Sequence, residues 1–206
     1  MKFKSSTNNE DLSMRGCEVK NKVNSGWTSI EILGVLAVII IASAGAITLV
    51  YKMFSSNSTT TELSNVQHLA TQTRGQLKNK GGYEFTSAAT MTGSLIRVGG
   101  TSNMTINGNP KSGTATLSNN WGGDVLITPE KVGGSTNNKG FSVTYKSVPQ
   151  EACTTLVTKL SESGVSETSI SGTNNIGAVT AEKAGSQCKP DTGSTGNNII
   201  IWKFNN

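Results

Sequence analysis

Gly26-Trp27-Thr28-Ser29-Ile30-Glu31-Ile32-Leu33 is the stretch that decides the fold, because it opens the most apolar part of the chain. From Ile32 to Val50 there are 19 residues without a charge, about the length that a helix needs to cross the hydrocarbon core of a bilayer. Glu31 lies just before this run, between two isoleucines. Because a carboxylate is costly in lipid, an acid at this position indicates a function.

Outside the apolar run, the composition is typical of a loop-rich surface on the outer side of a membrane. The 206 residues include 23 glycines, and only 15% are charged and 5% aromatic. This length favours one globular domain in addition to the membrane segment. The net charge of +5 is spread along the sequence, without the clustered basic and aromatic residues of a nucleic-acid interface. We therefore expect no direct contact with nucleic acid.

The residues before the apolar run do not form an ordinary signal peptide. Residues 1–25 are polar and contain no apolar segment. Cys17 follows Arg15-Gly16, but no hydrophobic segment precedes it, so lipidation is not expected there.

The other two cysteines, Cys153 and Cys188, lie after the apolar run. The basic N-terminal flank favours a cytoplasmic N-terminus, which places the residues after about Val50 in an oxidising compartment. Cys153 and Cys188 can pair there, and closing a loop of 35 positions would stabilise the fold by roughly 3–4 kcal/mol. The sequence has no Cys-x-x-Cys motif, so redox catalysis is not expected.

A helical pattern continues beyond the apolar run. No proline precedes Asn109, and Thr28 or Ser29 is suited to cap the start of the helix. One continuous helix from Thr28 to Lys78 would be roughly 75 Å long, and Gly81-Gly82 would end it. Its second half carries an apolar stripe, which predicts a face packed on a globular domain, whereas its polar residues are expected to face elsewhere. The stripe is Leu63, Val66, Leu69, Ala70 and Leu77, and the polar residues are Glu62, Gln67, Gln72 and Arg74.

The remaining sequence predicts an α+β domain. Residues 83–120 are rich in glycine, threonine and asparagine and predict a variable connecting region with one or two short elements. Residues 124–128 and 141–145 predict an antiparallel hairpin, and a helix is expected from Pro149 through Leu160. Residues 165–198 are expected to be mostly loop before a last strand, 199–204. The predicted architecture is an antiparallel sheet packed on the rear of the long helix.

The residues around Gly26 resemble the processing and assembly signature of type IV pilins. In that signature a glycine follows a basic leader, and a glutamate is the fifth residue after it, at the start of a long apolar run; here these are Gly26 and Glu31. Trp27 as first mature residue, a mature chain of 180 residues (206 less 26) and the large loop between the two late cysteines are similar to type IVb pilins of enteric bacteria and conjugative thin pili. Asn120-Trp121-Gly122-Gly123 and Pro149-Gln150-Glu151-Ala152-Cys153 also resemble that group.

The resemblance implies a type IV pilin fold and divides the chain into four parts. Residues 1–26 are a cleaved prepilin leader, and residues 27–54 are a transmembrane and polymerisation helix. Residues 55–82 are the amphipathic second half of that helix. Residues 83–206 are a globular head with a disulfide-bounded loop, 153–188.

The resemblance also implies site residues and partners. A prepilin peptidase cuts between Gly26 and Trp27 and methylates the new amine of Trp27. Glu31 of one subunit then pairs with the Trp27 amine of a neighbour, since pairing offsets the cost of holding each charge alone in an apolar interior. The subunit is expected to pass from the inner membrane, where it meets the pilus assembly platform, into a helical homopolymer outside the cell. This pilus would serve adhesion, aggregation or mating-pair contact, at the surface of host or recipient cells.

Two alternatives to a major pilin stay open. One is a minor pilin or pseudopilin of the same machinery, and the other is a membrane-anchored periplasmic enzyme or binding protein that uses residues 83–206. The latter needs a converging set of acids, bases or ligands, for which the sequence offers few candidates. His68 is the single histidine and lacks evident partners for a metal site, and Gly99-Gly100 and residues 108–114 lack the context of a phosphate loop. We therefore expect a structural protein, not an enzyme, without cofactor or metal.

Overall fold

The computed structural model describes residues 57–101, 103–193 and 196–205. They belong to one compact unit of the chain, Ile47–Asn206. The predictions for the leader, the apolar run and Gly26, Trp27 and Glu31 concern residues outside these ranges. Within the ranges, the helices are too short or too polar to span a bilayer.

The described chain starts in helix α1, which covers residues 57–72 and continues into a π-helical turn, Thr73–Leu77. Val66, Leu69 and Ala70 of the apolar stripe are buried, because they face the core at helical spacing. Lys78 adopts an extended conformation and ends the helix three residues before the first glycine of the pair. The chain then turns through a short antiparallel bridge between Asn79 and Gly82.

In the described part of the chain, seven antiparallel strands form one sheet in the order β1-β2-β3-β4-β7-β5-β6. Their bounds are β1 Thr105–Asn107, β2 Thr116–Ser118, β3 Asp124–Glu130, β4 Gly140–Val148, β5 Glu167–Ile170, β6 Thr173–Ile176 and β7 Asn198–Phe204. Three more helices are α2 Ala88–Arg97, α3 Gln150–Ser161 and α4 Ala181–Gln187, and a 3-10 turn covers Pro110–Ser112. The predicted α+β class, with helices packed on an antiparallel sheet, is confirmed.

The middle of the sheet is the part that the sequence predicts best. The hairpin of β3 and β4 is present, with Val125 opposite Tyr145 and Ile127 opposite Val143. The last strand, β7, lies beside β4, so that Val143 is also opposite Trp202. Because side chains alternate along a strand, these residues share one face, which is the buried one.

Aromatic rings fill the core on this face. Tyr145 meets Trp202 edge-on at a centroid distance of 5.6 Å, and Phe141 stacks on Phe204 at 5.0 Å. Such ring pairs contribute roughly 0.5–1.5 kcal/mol beyond their burial. They make the centre of the sheet the rigid platform on which the helices lie.

The described residues between 83 and 120 contain helix α2, strands β1 and β2 and the 3-10 turn Pro110–Ser112, more than the one or two elements predicted. Helix α2 begins at a capping box in which the Ser87 hydroxyl accepts from the Thr90 backbone N–H and the Thr90 hydroxyl accepts from the Ser87 N–H. Both partners are small hydroxyl residues, so this helix start does not stand out in a sequence rich in serine and threonine.

The prediction that residues 165–198 are mostly loop missed three elements. These residues contain the hairpin of β5 and β6 and helix α4. Strand β6 has the sequence Thr-Asn-Asn-Ile and is exposed along most of its length, because it is an edge of the sheet. An edge strand that buries little apolar surface shows no alternation of apolar and polar residues.

Candidate functional site

The attachment of α1 to the sheet depends on a buried carboxylate, Glu62, whose side chain is 1% exposed. Its Oε1 accepts from the backbone N–H of Asn120 at 2.7 Å. Its Oε2 accepts from the Tyr145 hydroxyl at 2.9 Å and from Nδ2 of Asn65 at 3.1 Å. The prediction that Glu62 faces away from the head is therefore wrong, since three donors satisfy the charge inside.

Asn119 shapes the turn that reaches Glu62. Its Oδ1 accepts from the backbone N–H of Trp121 at 3.0 Å and of Gly123 at 2.9 Å. Its Nδ2 donates to the Lys146 carbonyl at 2.8 Å, which ties the turn to β4. A Cβ at Gly123 would lie 1.9 Å from that same carbonyl oxygen, so this close approach requires glycine. The Asn-Trp-Gly-Gly segment thus positions the Asn120 donor for the helix.

The same network holds Tyr145 in its neutral form. Burial raises the pKa of Tyr145 well above its ordinary value of 10.0, and the Glu62 charge and their hydrogen bond raise it further. The phenol therefore donates to the carboxylate throughout the neutral pH range. Helix and sheet are joined by a bond that neutral pH does not disturb.

The C-terminal end of α1 makes a second attachment through Arg74. Its guanidinium carbon lies 5.2 Å from the ring centroid of Phe204 and 5.8 Å from that of Phe141. Tyr83 meets Phe141 edge-on at 5.2 Å, and burial raises the pKa of Tyr83 while the Arg74 charge opposes the shift. Arg74 thus covers the aromatic stack at this end of the sheet.

Cys153 and Cys188 form a disulfide bond, as expected, with a Cα–Cα distance of 6.0 Å. It joins the first turn of α3 to the residue that ends α4. Asn198, which is fully buried, extends this link into the sheet. Its Oδ1 accepts from the Lys189 N–H at 2.7 Å and its Nδ2 donates to the Val148 carbonyl at 3.1 Å.

The described residues contain no group of three or more histidine, cysteine, aspartate or glutamate side chains that could hold a metal ion. Nε2 of His68 lies 3.3 Å from Nε2 of Gln72, one turn further along α1. The processing and assembly residues predicted from the sequence, Gly26, Trp27 and Glu31, fall outside the described ranges. What these ranges do show is a sheet to which helix α1 is firmly attached.

The fold, with helices packed on an antiparallel sheet, is that of the type IV pilins, as two solved structures show. The chain is 46% identical to the type IVb pilin from Salmonella typhi in its crystal structure, which covers 71% of this chain and 99% of that chain with a TM-score of 0.63. The NMR structure of a type IVb pilin, PilS, from Salmonella typhi gives 45% identity, with 72% and 96% of the two chains covered and a TM-score of 0.51. None of the curated proteins matches the chain.

The family model described as PilS N terminal matches residues 56–205. The chain belongs to this family and is a type IVb pilin.

Proposed function

We propose that this pilin is the major structural subunit of a type IVb pilus. The observation that carries the proposal is the likeness of residues 56–205 to type IVb pilins, joined to the Gly26 and Glu31 signature that lies before them. The fibre forms by self-association of the subunit into a helical homopolymer. Its work is mechanical, so the subunit needs no catalytic residues or cofactor.

The proposed route has two stages. In the inner membrane the prepilin peptidase removes residues 1–26 and methylates the amine of Trp27, while residues 27–54 anchor the subunit. The assembly platform then transfers the subunit into the fibre, where residues 55–82 join the anchor to the head and residues 83–206 form its surface. The firm attachment of α1 through Glu62 supports this proposal, because a pulling force on the helix is passed directly to the sheet.

The charge of Glu31 directs the transfer of the subunit from the membrane into the fibre. An uncompensated carboxylate and an uncompensated amine are each costly in an apolar interior, and the pairing of Glu31 with Trp27 of a neighbour offsets much of both costs. A contact of this kind joins different faces of two copies and does not form a closed ring, so repeated contacts build a fibre. The assembled fibre then presents the heads to host or recipient cells.

Processing is tested by the intact mass and N-terminal sequence of sheared surface filaments. We expect a chain that starts at methylated Trp27 and is the most abundant protein of the filament. Retention of Met1 in the filaments would refute the cleavage site, and a minor share of the filament protein would assign the chain to the minor pilins.

The role of Glu31 is tested by Glu31→Ala, with Glu162→Ala as the matched control because Glu162 is an exposed acid on the head. We expect Glu31→Ala to leave the subunit in the inner membrane and to abolish filaments in electron micrographs, whereas Glu162→Ala assembles normally. Normal filaments from Glu31→Ala would contradict the pairing.

A further inference from the structure

The fold gathers basic side chains that the sequence keeps apart. Arg74, Lys78 and Lys80 follow one another at the end of α1, and Lys131 and Lys139 bracket the loop between β3 and β4. All five are exposed. We call them the basic rim.

Backbone contacts hold the two parts of the rim together. The Tyr83 N–H donates to the Asn138 carbonyl at 2.8 Å, and Nδ2 of Asn138 donates to the Tyr83 carbonyl at 3.4 Å. A Cβ at Gly82 would lie 2.3 Å from the Asn138 carbonyl oxygen, so the two segments touch where only glycine fits. Lys80 and Lys139 therefore flank one surface.

The rim accounts for the whole net charge of residues 57–206. Residues 57–206 contain 12 basic and 9 acidic residues, a net charge of +3 (12 less 9). The five rim residues together with the two acids beside them, Glu84 and Glu130, also give +3 (5 less 2). The other seven basic and seven acidic residues balance (12 less 5, and 9 less 2).

The rim charge is not neutralised within the described residues. Their two ion pairs are Lys146 with Asp124 and Lys203 with Glu167, and both lie outside the rim. Oε1 of Glu130 accepts from the Ser142 hydroxyl at 2.8 Å, so this acid is engaged with β4. Unpaired ammonium groups on one surface attract anions from solution.

A groove of about 370 Å³ lies beside the rim at Lys131. Its lining consists of Lys131, the acid Glu84, Gly81, Tyr83 and three polar residues, Thr136, Asn137 and Asn138. Amide and hydroxyl groups can both donate to and accept from sugar hydroxyls, and the basic rim beside the groove matches acidic groups. We propose that the basic rim binds an acidic polysaccharide, and this assignment of a ligand class rests on the proposed role of the fibre as a surface contact.

The charge distribution favours an external polyanion over a second copy of the chain. Because the other charged residues of 57–206 balance, this part of a second copy supplies no net negative charge to match the rim. A polysaccharide with an acidic group on each repeat unit supplies that charge along its length. Contact between copies is the competing outcome of the experiment.

The test measures binding of dextran sulfate, with neutral dextran of equal length as the probe control. Both the full chain in detergent micelles and sheared filaments are assayed, so a failure to assemble is separated from a failure to bind. The rim variant carries Lys78→Gln, Lys80→Gln, Lys131→Gln and Lys139→Gln. The matched control carries Lys111→Gln, Lys159→Gln, Lys183→Gln and Lys189→Gln, four lysines that are also exposed.

We expect the native chain to bind dextran sulfate but not dextran, with an affinity that falls as salt rises. The rim variant should bind at least about tenfold more weakly, because each exposed ion pair contributes modestly and four are lost. The control should change by less than about twofold, although its net charge is the same. Thermal unfolding of both variants checks the fold, and the single changes Lys80→Gln and Lys131→Gln should each give part of the loss.

Equal losses in the rim variant and the control would overturn the proposal, because they would show a response to net charge alone. Unchanged binding by the rim variant in micelles, together with failure of its filaments to form, would also overturn it and assign the rim to contact between copies. Absence of binding by the native chain in both states would refute the ligand class.

Discussion

The two flanks of the sheet are held to the same centre by different means. The first flank, residues 83–118, contains α2, β1 and β2, and the second flank, residues 165–188, contains β5, β6 and α4. Four of the largest fully buried side chains belong to the first flank: Tyr83, Met91, Leu95 and Leu117. Only Ile170 in the second flank is of that kind. The first flank is therefore held mainly by apolar packing.

Covalent and polar links hold the second flank. The disulfide closes it at Cys188, and the amides of Asn175 and Gln187 bond to each other in both directions, at 2.7 and 3.2 Å. The Val179 N–H donates to the Ser161 hydroxyl at 2.9 Å, which fixes the entry into α4. A crosslink that limits the unfolded chain can thus replace the burial of large side chains. This leaves most of the second flank polar.

Removing the disulfide should give the largest difference in stability between the two flanks. For Cys153→Ala with Cys188→Ala we expect the free energy of unfolding to fall by about 4 kcal/mol, since the closed loop is long. Hydrogen exchange of the full chain in detergent should show protection lost first in residues 165–188. A uniform loss that includes residues 83–118 would contradict the division into flanks.

Leu95→Ala tests the first flank. The side chain is fully buried, so we expect a loss of about 3 kcal/mol, with exchange rising first in residues 83–118 under otherwise identical conditions. Val98→Ala is the control, because Val98 is 51% exposed and its truncation should change stability by less than about 0.5 kcal/mol. Retained protection in the first flank of Leu95→Ala would show that packing is not what holds it.

Tyr145→Phe tests the centre that both flanks share, and its effect depends on pH. Loss of the hydrogen bond to Glu62 should cost about 1–3 kcal/mol at neutral pH. Because the pKa of Tyr145 is raised above its ordinary 10.0, its contribution is fully present below that value. It is lost as pH rises towards the folded-state pKa, since only the unfolded chain releases the proton there.

The native chain should therefore lose stability above pH about 10 more steeply than Tyr145→Phe, by up to about 1.4 kcal/mol per pH unit. Urea titrations between pH 8 and about 11.5 measure the difference in slope. Tyr83→Phe is the comparison variant and should flatten the curve less, because the Arg74 charge opposes the rise in the pKa of Tyr83. Parallel curves for all three proteins would contradict the account of Tyr145.

The sequence predicts those helices and strands in which burial of one face gives the apolar residues a regular spacing. The stripe of Val66, Leu69 and Ala70 is buried as helical spacing requires, and β3, β4 and β7 show the expected strands. Strands β5 and β6 and helix α4 escaped prediction, because the disulfide and amide links allow these elements to form with few apolar residues. These elements are stabilised by contacts between residues far apart in the sequence, which leave little periodic pattern of apolar residues in the local sequence.

The attachment of α1 through Glu62 is also a long-range contact that the local sequence does not predict. Glu62 in a helical pattern is ordinarily a solvent-facing residue, and nothing in its neighbours along the chain shows that Asn120 and Tyr145 will meet it. In the sequence, Asn-Trp-Gly-Gly gives only a resemblance, and its role in presenting the Asn120 N–H depends on the folded turn. The pairing of Cys153 with Cys188 was accessible, because only two cysteines follow the apolar run.

The bonds of Glu62 have a consequence for the order of events during synthesis. Its partners Asn120 and Tyr145 are 58 and 83 residues later in the chain, so the ribosome delivers the helix long before the groups that neutralise its acid. Until β4 is paired, burying this carboxylate is costly and the helix gains little by docking. We therefore expect α1 to pack on the sheet only after β4 is paired, and to stay undocked in a subunit whose sheet is incomplete.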